Sequence, residues 1–397
     1  MDARNLAAER RDRLWLDESS GDFAIFEDEV AQTTRAEDWP HASEIAKNIP
    51  IYDGEAVRRT AQSVRTRREL MAEWAAVFAT GPGVIVIRAA MDDLAVVDRA
   101  TAVFETIIET EKAGSGGGGD HFAKPGANDR VWNALEKHCL ADPKNFARYY
   151  ASEAVAMTSE AWLGRGYQMT AQVNRVNPGG AAQTPHRDYH LGFMSPEQMT
   201  AFPAHIHRIS PLLTLQGAIA HGDMPIESGP TVLLPYSQTF FEGYLAFGRE
   251  PFQRYFADHA VQLPLAKGDA VFFNPALMHG AGANQSSDIR RMANLLQVSS
   301  AFGRAMEAVD RSRMTLALYP ALRAASAAGE LSAAAIANAV AASAEGYAFP
   351  TNLDRDPPIG GRAPKTQAEH VHAALAAGED AETFVSRITA HDARRSA

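Results

Sequence analysis

Two histidines and one aspartate have the residue types and the spacing of a metal site. His186 and Asp188 lie two residues apart, and His279 follows 91 residues after Asp188. On a strand, that two-residue spacing places both side chains on one face. Two imidazoles and one carboxylate form the facial triad of non-haem iron(II) oxygenases. Such a triad covers one face of an octahedron and leaves three positions for a bidentate 2-oxo acid and dioxygen.

A pair of arginines follows the second histidine of this set. Arg290 and Arg291 lie eleven and twelve positions after His279. A guanidinium is planar and pairs with both oxygens of a carboxylate at once, which suits the distal carboxylate of 2-oxoglutarate. Because side chains alternate along a strand, only one of the two arginines faces inward. The periodicity alone does not say which one.

His190 is the alternative second imidazole, since it shares strand parity with His186 and Asp188. Three ligands from a single strand would crowd one side of the metal instead of spanning a face. We therefore favour His279 as the ligand, and we expect His190 to form a hydrogen bond or to contact the substrate.

Other polar and aromatic residues near these motifs are candidates for cosubstrate and substrate contacts. Side chains expected to hydrogen-bond the 2-oxo acid from neighbouring strands are Gln172, Asn174 and Thr231. Residues expected in the substrate pocket, with His190, are Tyr189, Phe193, Arg130 and Trp132. The residues expected to bind the 2-oxo acid could instead form ordinary hydrogen bonds within the sheet. Those expected in the substrate pocket could instead serve in packing or in surface ion pairs.

Four motifs together resemble the phytanoyl-CoA dioxygenase family of 2-oxoglutarate oxygenases. They are the triad segment 186–188, the Gly-Asp strand and distal histidine in 268–284, the arginine that follows, and the acidic–Gly–Pro strand and turn in 227–237. The turn departs from the family's Pro-Gly-Ser-His pattern, because Gln238 stands where a histidine sometimes occurs. The resemblance covers about residues 80–300.

The resemblance implies a double-stranded β-helix that binds iron(II) and consumes dioxygen. It also implies oxidative decarboxylation of 2-oxoglutarate to succinate and carbon dioxide, coupled to oxidation, most simply hydroxylation, of a small organic molecule. The family pattern selects Arg290 over Arg291. Asp188 argues against a halogenase, because halogenating relatives lack that carboxylate. The prime substrate is not fixed by the resemblance.

The predicted elements are compatible with such a core. A short β-branched strand at 84–87 is followed by an amphipathic helix near 94–108, and residues 128–163 read as helical. Five short strands follow, at 170–176, 212–219, 231–234, 270–273 and 292–298. This pattern predicts an α+β fold with a jelly-roll, cupin-like core and flanking helices. We expect an extension of helices and loops at 1–79, the dioxygenase core at 80–301, and a mainly helical extension at 302–397 that includes the alanine-rich stretch 321–342.

A glycine-rich stretch follows the first core helix, at residues 113–120. It is not a phosphate-binding P-loop, because no Gly-Lys-Ser/Thr ending follows and the loop trails a helix instead of opening one. We interpret Gly114–Asp129 as a mobile loop or active-site lid.

The composition indicates an ordinary globular protein acting on small molecules. The 397 residues carry a formal net charge of −10, which disfavours a nucleic-acid partner. One cysteine, Cys139, excludes an internal disulfide. No apolar stretch is long enough for a membrane span and no secretory signal begins the chain, so we expect a cytoplasmic protein, with its oligomeric state open. The alternative function is a non-oxidative cupin-type metal protein (an isomerase, hydrolase or sensor), which the arginine clamp disfavours.

Overall fold

The fold is built on two β-sheets that face each other. The computed structural model describes residues 3–114 and 126–396. Its strands are β1 (Glu44–Ala46), β2 (Ile49–Asp53), β3 (Val84–Arg88), β4 (Asn128–Val131), β5 (Gln168–Val176), β6 (Thr214–Ala220), β7 (Thr231–Leu233), β8 (Val261–Gln262), β9 (Ala270–Phe273), β10 (His279–Ala281) and β11 (Arg291–Ser299).

Helices flank the sheets and make up most of the two terminal regions. They are α1 (Ala3–Leu14), α2 (Phe23–Val30), α3 (Gly54–Ala61), α4 (Val64–Ala79), α5 (Leu94–Ala113), α6 (Ala134–Ala141), α7 (Pro143–Tyr149), α8 (Glu153–Leu163), α9 (Pro196–Thr200), α10 (Ala204–Ile209), α11 (Gly243–Ala246), α12 (Glu250–His259), α13 (Arg311–Ala327), α14 (Ala333–Ser343), α15 (Gln367–Ala377) and α16 (Ala381–Arg395).

The larger sheet has eight strands in the order β1-β2-β3-β9-β6-β11-β5-β4, and the smaller has three in the order β10-β7-β8. Within the described residues every strand pair is antiparallel except β2 with β3. Two facing, largely antiparallel sheets with helices outside them form the predicted α+β jelly-roll core.

The two faces of the larger sheet bury different sets of side chains. In β3, Ile85 and Ile87 pack into a large cluster with the helices, whereas Val84 and Val86 point the other way, toward the smaller sheet. Strand β11 alternates likewise, since Leu296 faces the helices and the half-buried Leu295 faces the space between the sheets. Strand alternation thus separates a helix-covered core from a space enclosed by the two sheets.

The structure corrects three details of the sequence prediction. The N-terminal region predicted as helix and loop contains β1 and β2, which join the larger sheet. Residues 128–131, predicted as helical, form an edge strand of the same sheet. The alanine-rich stretch is divided between α13 and α14. The five predicted core strands are present, although residues 210–213 form a 3₁₀ turn before β6.

The predicted glycine-rich lid falls largely on residues 115–125, which lie outside the described residues. For the part of the chain that the structure describes, no helix combines the length and the apolar character needed to cross a bilayer.

Two histidines are buried in the core between the larger sheet and the helices. His138 pairs through Nε2 with Asn145 Oδ1 at 2.8 Å. His221 lies between the hydroxyls of Thr101 and Tyr149, each 2.8 Å from a ring nitrogen. Burial lowers the pKa of His138 to about 4 and that of His221 to about 3. Both rings are therefore neutral in the folded protein near neutral pH.

We expect the free energy of unfolding to fall as the pH drops from 7.5 to 5. In the unfolded chain a histidine has a pKa near 6.5 and becomes protonated over this pH range, whereas the buried ring stays neutral. Acid therefore favours the unfolded chain by roughly 1–2 kcal/mol for each buried ring. Urea unfolding at both pH values measures the change. The variant His221→Gln should show a smaller loss than the original chain. An equal loss in both would contradict a neutral, buried His221.

Candidate active site

The three predicted ligands are brought together by backbone pairing between distant segments. His186 and His279 form an isolated antiparallel bridge, in which each backbone N–H donates to the other residue's carbonyl, at 2.9 and 3.0 Å. The N–H of Asp188 donates to the carbonyl of Pro275 at 2.9 Å, in the turn between β9 and β10. The segment carrying His186 and Asp188 is thus fixed against the segment that leads to His279.

The side chains of these three residues converge on one point. Their ligand atoms all lie within 4.8 Å of one another. Nε2 of His186 is 3.4 Å from one carboxylate oxygen of Asp188, and Nε2 of His279 is 3.4 Å from the other. The two rings face each other with centroids 4.6 Å apart. This is the arrangement of a three-donor metal site with one open side.

Hydrogen bonds from the chain orient all three donors. Nδ1 of His186 donates to the carbonyl of Thr184, and Nδ1 of His279 donates to that of Leu277, both at 2.8 Å. Since a neutral imidazole carries only one N–H, each Nε2 keeps its lone pair for a metal. Burial alone would raise the pKa of Asp188, but hydrogen bonds and attraction from His186 and His279 in their protonated form bring it well below its usual range. Two neutral imidazoles and an ionised carboxylate fit a divalent cation such as iron(II).

Arg187, between two of the ligands, fixes the triad segment from the opposite side, and the sequence analysis missed this role. Its side chain is buried and donates to the backbone carbonyls of Ser237 and Phe240. Gly243 allows this approach, because a Cβ atom there would lie 1.8 Å from the guanidinium carbon. Tyr244 adds a hydrogen bond from its hydroxyl to the carbonyl of Asp188, at 3.0 Å. The signal was a charged residue placed between two inward-facing ligands.

The triad opens into a cavity of about 680 Å³ between the two sheets. Most of the predicted contact residues line it, namely Gln172, Asn174, Thr231, Arg130, Trp132 and Phe193. Nη1 of Arg130 donates to Oε1 of Gln172 at 2.9 Å, and the Arg130 guanidinium carbon lies 5.0 Å from the centroid of the Trp132 ring. These residues therefore lie in one pocket with the triad, and their contacts with cosubstrate and substrate stay predictions.

Two predicted substrate residues, Tyr189 and His190, are absent from the described lining of the cavity. Both have positive φ angles, 65° and 44°, which are uncommon for residues other than glycine. The backbone therefore turns away sharply after Asp188, and the strand alternation that would have placed His190 beside the triad ends there. Tyr189 is buried, with its ring centroid 6.0 Å from that of Phe193 at the cavity wall.

The structure places Arg291, and not Arg290, in the cavity. Arg290 is exposed and borders a separate surface depression with Lys112 and Arg175. Arg291 begins β11, is 8% exposed, and lines the same cavity as the triad. It forms no ion pair or side-chain hydrogen bond with any other described residue, and burial lowers its pKa to about 10. The phase of β11 thus points Arg291 into the cavity and leaves Arg290 at the surface. Which of the two binds 2-oxoglutarate stays a prediction.

Gln216 is a further residue that the sequence analysis did not single out. It lies on β6, lines the cavity, and donates a hydrogen bond from Nε2 to Oδ2 of Asp188. The available signal was a carboxamide inside the otherwise apolar strand 214–220.

The family profile described as phytanoyl-CoA dioxygenase (PhyH) matches residues 79–292, which is more than half of the chain. The chain belongs to this family. It is accordingly an enzyme of the non-haem iron class that depends on 2-oxoglutarate, and its cofactors are iron and 2-oxoglutarate, with dioxygen as oxidant. Curated protein sequences yielded no match.

Solved structures similar to this chain include two enzymes of nogalamycin biosynthesis. The 2-oxoglutarate-dependent epimerase SnoN of nogalamycin biosynthesis is 19% identical, with a TM-score of 0.41 over 59% of this chain and 82% of its own. The carbocyclase SnoK of the same biosynthesis is 21% identical, with a TM-score of 0.42 over 57% of this chain and 83% of its own. AviO1 from Streptomyces viridochromogenes Tue57 is 20% identical, with a TM-score of 0.38 over 53% and 87%.

Replacing Asp188 with alanine should abolish tight iron(II) binding, because the carboxylate supplies the charge and one of three protein donors. We expect affinity to fall by more than about 100-fold in anaerobic iron(II) titrations, beyond the losses typical of outer-shell changes. His190→Ala, which removes the imidazole on the same segment, is the matched control and should bind iron as the original chain does. Loss of binding in His190→Ala would restore His190 as a ligand.

Proposed function

We propose that the protein hydroxylates a small organic molecule while it decarboxylates 2-oxoglutarate to succinate and carbon dioxide. In this proposal His186, Asp188 and His279 hold the iron. Arg291 binds the distal carboxylate of 2-oxoglutarate. The observation that carries the proposal is the presence, in one cavity, of this triad and of a buried guanidinium that pairs with no other described residue.

Arg291 has the properties that a dicarboxylate clamp requires. Its pKa of about 10, although lowered by burial, keeps the guanidinium charged at neutral pH. Leaving such a charge buried without a counter-ion is costly, and a bidentate carboxylate would offset that cost with two charge-assisted hydrogen bonds. Thr231, Asn174 and Gln172 line the same cavity and supply further hydrogen-bonding groups for the 2-oxo acid, as the sequence predicted.

When bound, the iron and 2-oxoglutarate supply the oxidising chemistry. The residues of the chain position the metal donors, enclose the site and form the wall of the substrate pocket. The triad segment is held rigidly by Arg187 and by the bridge between His186 and His279, so the donor positions are set before any ligand arrives. The two sheets enclose the site and limit the access of water to it. Phe193, Trp132 and Met306 provide apolar wall for the prime substrate.

One observation disfavours halogenation, and a second disfavours a non-oxidative role. Asp188 is present and oriented as a donor, whereas halogenation requires that position to be free for chloride. A cupin-type isomerase, hydrolase or sensor has no need of a buried arginine opposite its metal. The volume of about 680 Å³ is large enough for 2-oxoglutarate and a second small molecule together.

The cytoplasmic location remains a prediction from the sequence.

Replacing Arg291 with methionine should weaken 2-oxoglutarate binding by about 10- to 100-fold, the effect expected from losing a charge-assisted pair. Iron(II) affinity should change little, because Arg291 contacts none of the three metal donors in the described structure. The measurement is the anaerobic visible charge-transfer band of iron(II) with 2-oxoglutarate. Arg290→Met is the matched control and should titrate as the original chain does. If Arg290→Met alone weakened 2-oxoglutarate binding, the clamp would be Arg290.

A panel of small metabolites, assayed for succinate formation, tests the activity itself. We expect at least one compound to raise succinate formation about 10-fold above the uncoupled rate, because a bound prime substrate couples decarboxylation to its own oxidation. Asp188→Ala should remove the stimulation. Mass spectrometry of the product should show a gain of one oxygen atom. A product that instead lost two hydrogens or kept its mass would contradict hydroxylation while leaving the enzyme class intact.

A further inference from the structure

Carboxamide side chains line the larger sheet on its cavity face. They lie on the neighbouring strands β5, β11 and β6, and they are Gln172, Asn174, Gln297 and Gln216. Of these, only Gln216 contacts a metal donor directly among the described residues, through its hydrogen bond to Asp188.

Bonding to a carboxylate fixes which way the Gln216 amide points. The carboxylate of Asp188 is ionised and can only accept hydrogen bonds, so Gln216 must turn its NH₂ group toward it. Its carbonyl oxygen Oε1 is then directed away from Asp188. Gln216 is 7% exposed, and Oε1 is buried and accepts no hydrogen bond from the described residues.

Gln297 lies directly opposite Gln216 in the sheet. The two residues are register partners across β6 and β11, so their side chains stand side by side on the cavity face. Oε1 of Gln297 is likewise buried and without a donor among the described residues. A buried carbonyl oxygen that lacks a donor destabilises the folded protein. Two such oxygens at one place indicate that a donor from outside the chain completes the site.

The position of the pair separates it from the cosubstrate clamp. Arg291 and Gln297 face the same side of β11 and are six residues apart, which corresponds to roughly 20 Å along a strand. Because the proposed 2-oxoglutarate site lies toward Arg291, the two glutamines border the remaining part of the cavity. That part is the space left for the prime substrate.

We propose that Gln216 is a positioning residue that orients the Asp188 carboxylate, and that Gln216 and Gln297 together accept hydrogen bonds from a prime substrate bearing hydroxyl or N–H donors near its reacting carbon. The proposal rests on the proposed function, since it assigns the glutamines to the substrate side of that site. It narrows the substrate class to hydrogen-bond donors and disfavours plain hydrocarbon chains.

Anaerobic titration of the full chain with iron(II) and 2-oxoglutarate tests the positioning role without any prime substrate. Gln216→Met keeps the side-chain length and removes the amide, and we expect iron(II) affinity to fall by about 10-fold, as for other outer-shell partners of metal ligands. Gln297→Met removes the facing amide and should titrate as the original chain does. If the original chain gives no charge-transfer band, the proposed function fails. If it gives the band and Gln216→Met titrates identically, the positioning role is overturned.

The acceptor role is tested with trans-1,2-cyclohexanediol as a donor-bearing probe and methylcyclohexane as its non-donor counterpart. Crystals of the zinc and 2-oxoglutarate complex, which is redox-inert, are soaked with each compound. We expect the diol to place a hydroxyl within hydrogen-bonding distance of Gln216 or Gln297 and to lose that position in Gln297→Met. A diol bound elsewhere in the cavity, or equally well in the variant, would overturn the assignment. So would methylcyclohexane bound at the glutamines with the diol absent.

Discussion

A reciprocal pair of backbone hydrogen bonds between His186 and His279 is the constraint on which the site depends. The two residues are far apart in sequence, and the bridge holds the segment that carries one imidazole against the segment that carries the other. The bridge also fixes the separation of the rings, whose centroids are 4.6 Å apart. The bond from Asp188 N–H to Pro275 adds a second point of attachment. Three donors are thus positioned by the backbone before a metal binds, which lowers the ordering cost of binding.

The charged side chains at the triad, behind it and at the start of β11 differ in their partners. Asp188 is surrounded by two imidazoles and a carboxamide donor, which keep it ionised despite burial. Arg291 stands at the start of β11, and no carboxylate among the described residues pairs with it. Arg187 is buried behind the triad, where it donates hydrogen bonds to backbone carbonyls. In the proposed function, a divalent cation pairs with the carboxylate of the triad and a dicarboxylate pairs with Arg291.

The sequence predicted the triad because the spacing of its residues has a physical meaning. A two-residue spacing places His186 and Asp188 on one face of a strand, and His279 follows the strand that begins after a Gly-Asp pair. Alternation could not decide between Arg290 and Arg291, because each face of β11 carries a leucine, with Leu296 on one side and Leu295 on the other. The choice of Arg290 came from the spacing in the family pattern. His190 was misplaced for another reason, since two positive φ angles end the strand after Asp188. Strands β1 and β2 were missed because they are short and one of them contains Pro50.

The pairing of β2 with β3 bears on where the catalytic unit begins. The family profile starts at residue 79, yet β3 hydrogen-bonds on one side to β9 and on the other to β2, which precedes that boundary. A shortened chain starting at residue 80 would leave β3 as a bare edge, with the unpaired backbone groups and apolar side chains that promote association between sheets. Strands β1 and β2 therefore extend the larger sheet beyond β3 and cover an edge that the family profile alone would leave open.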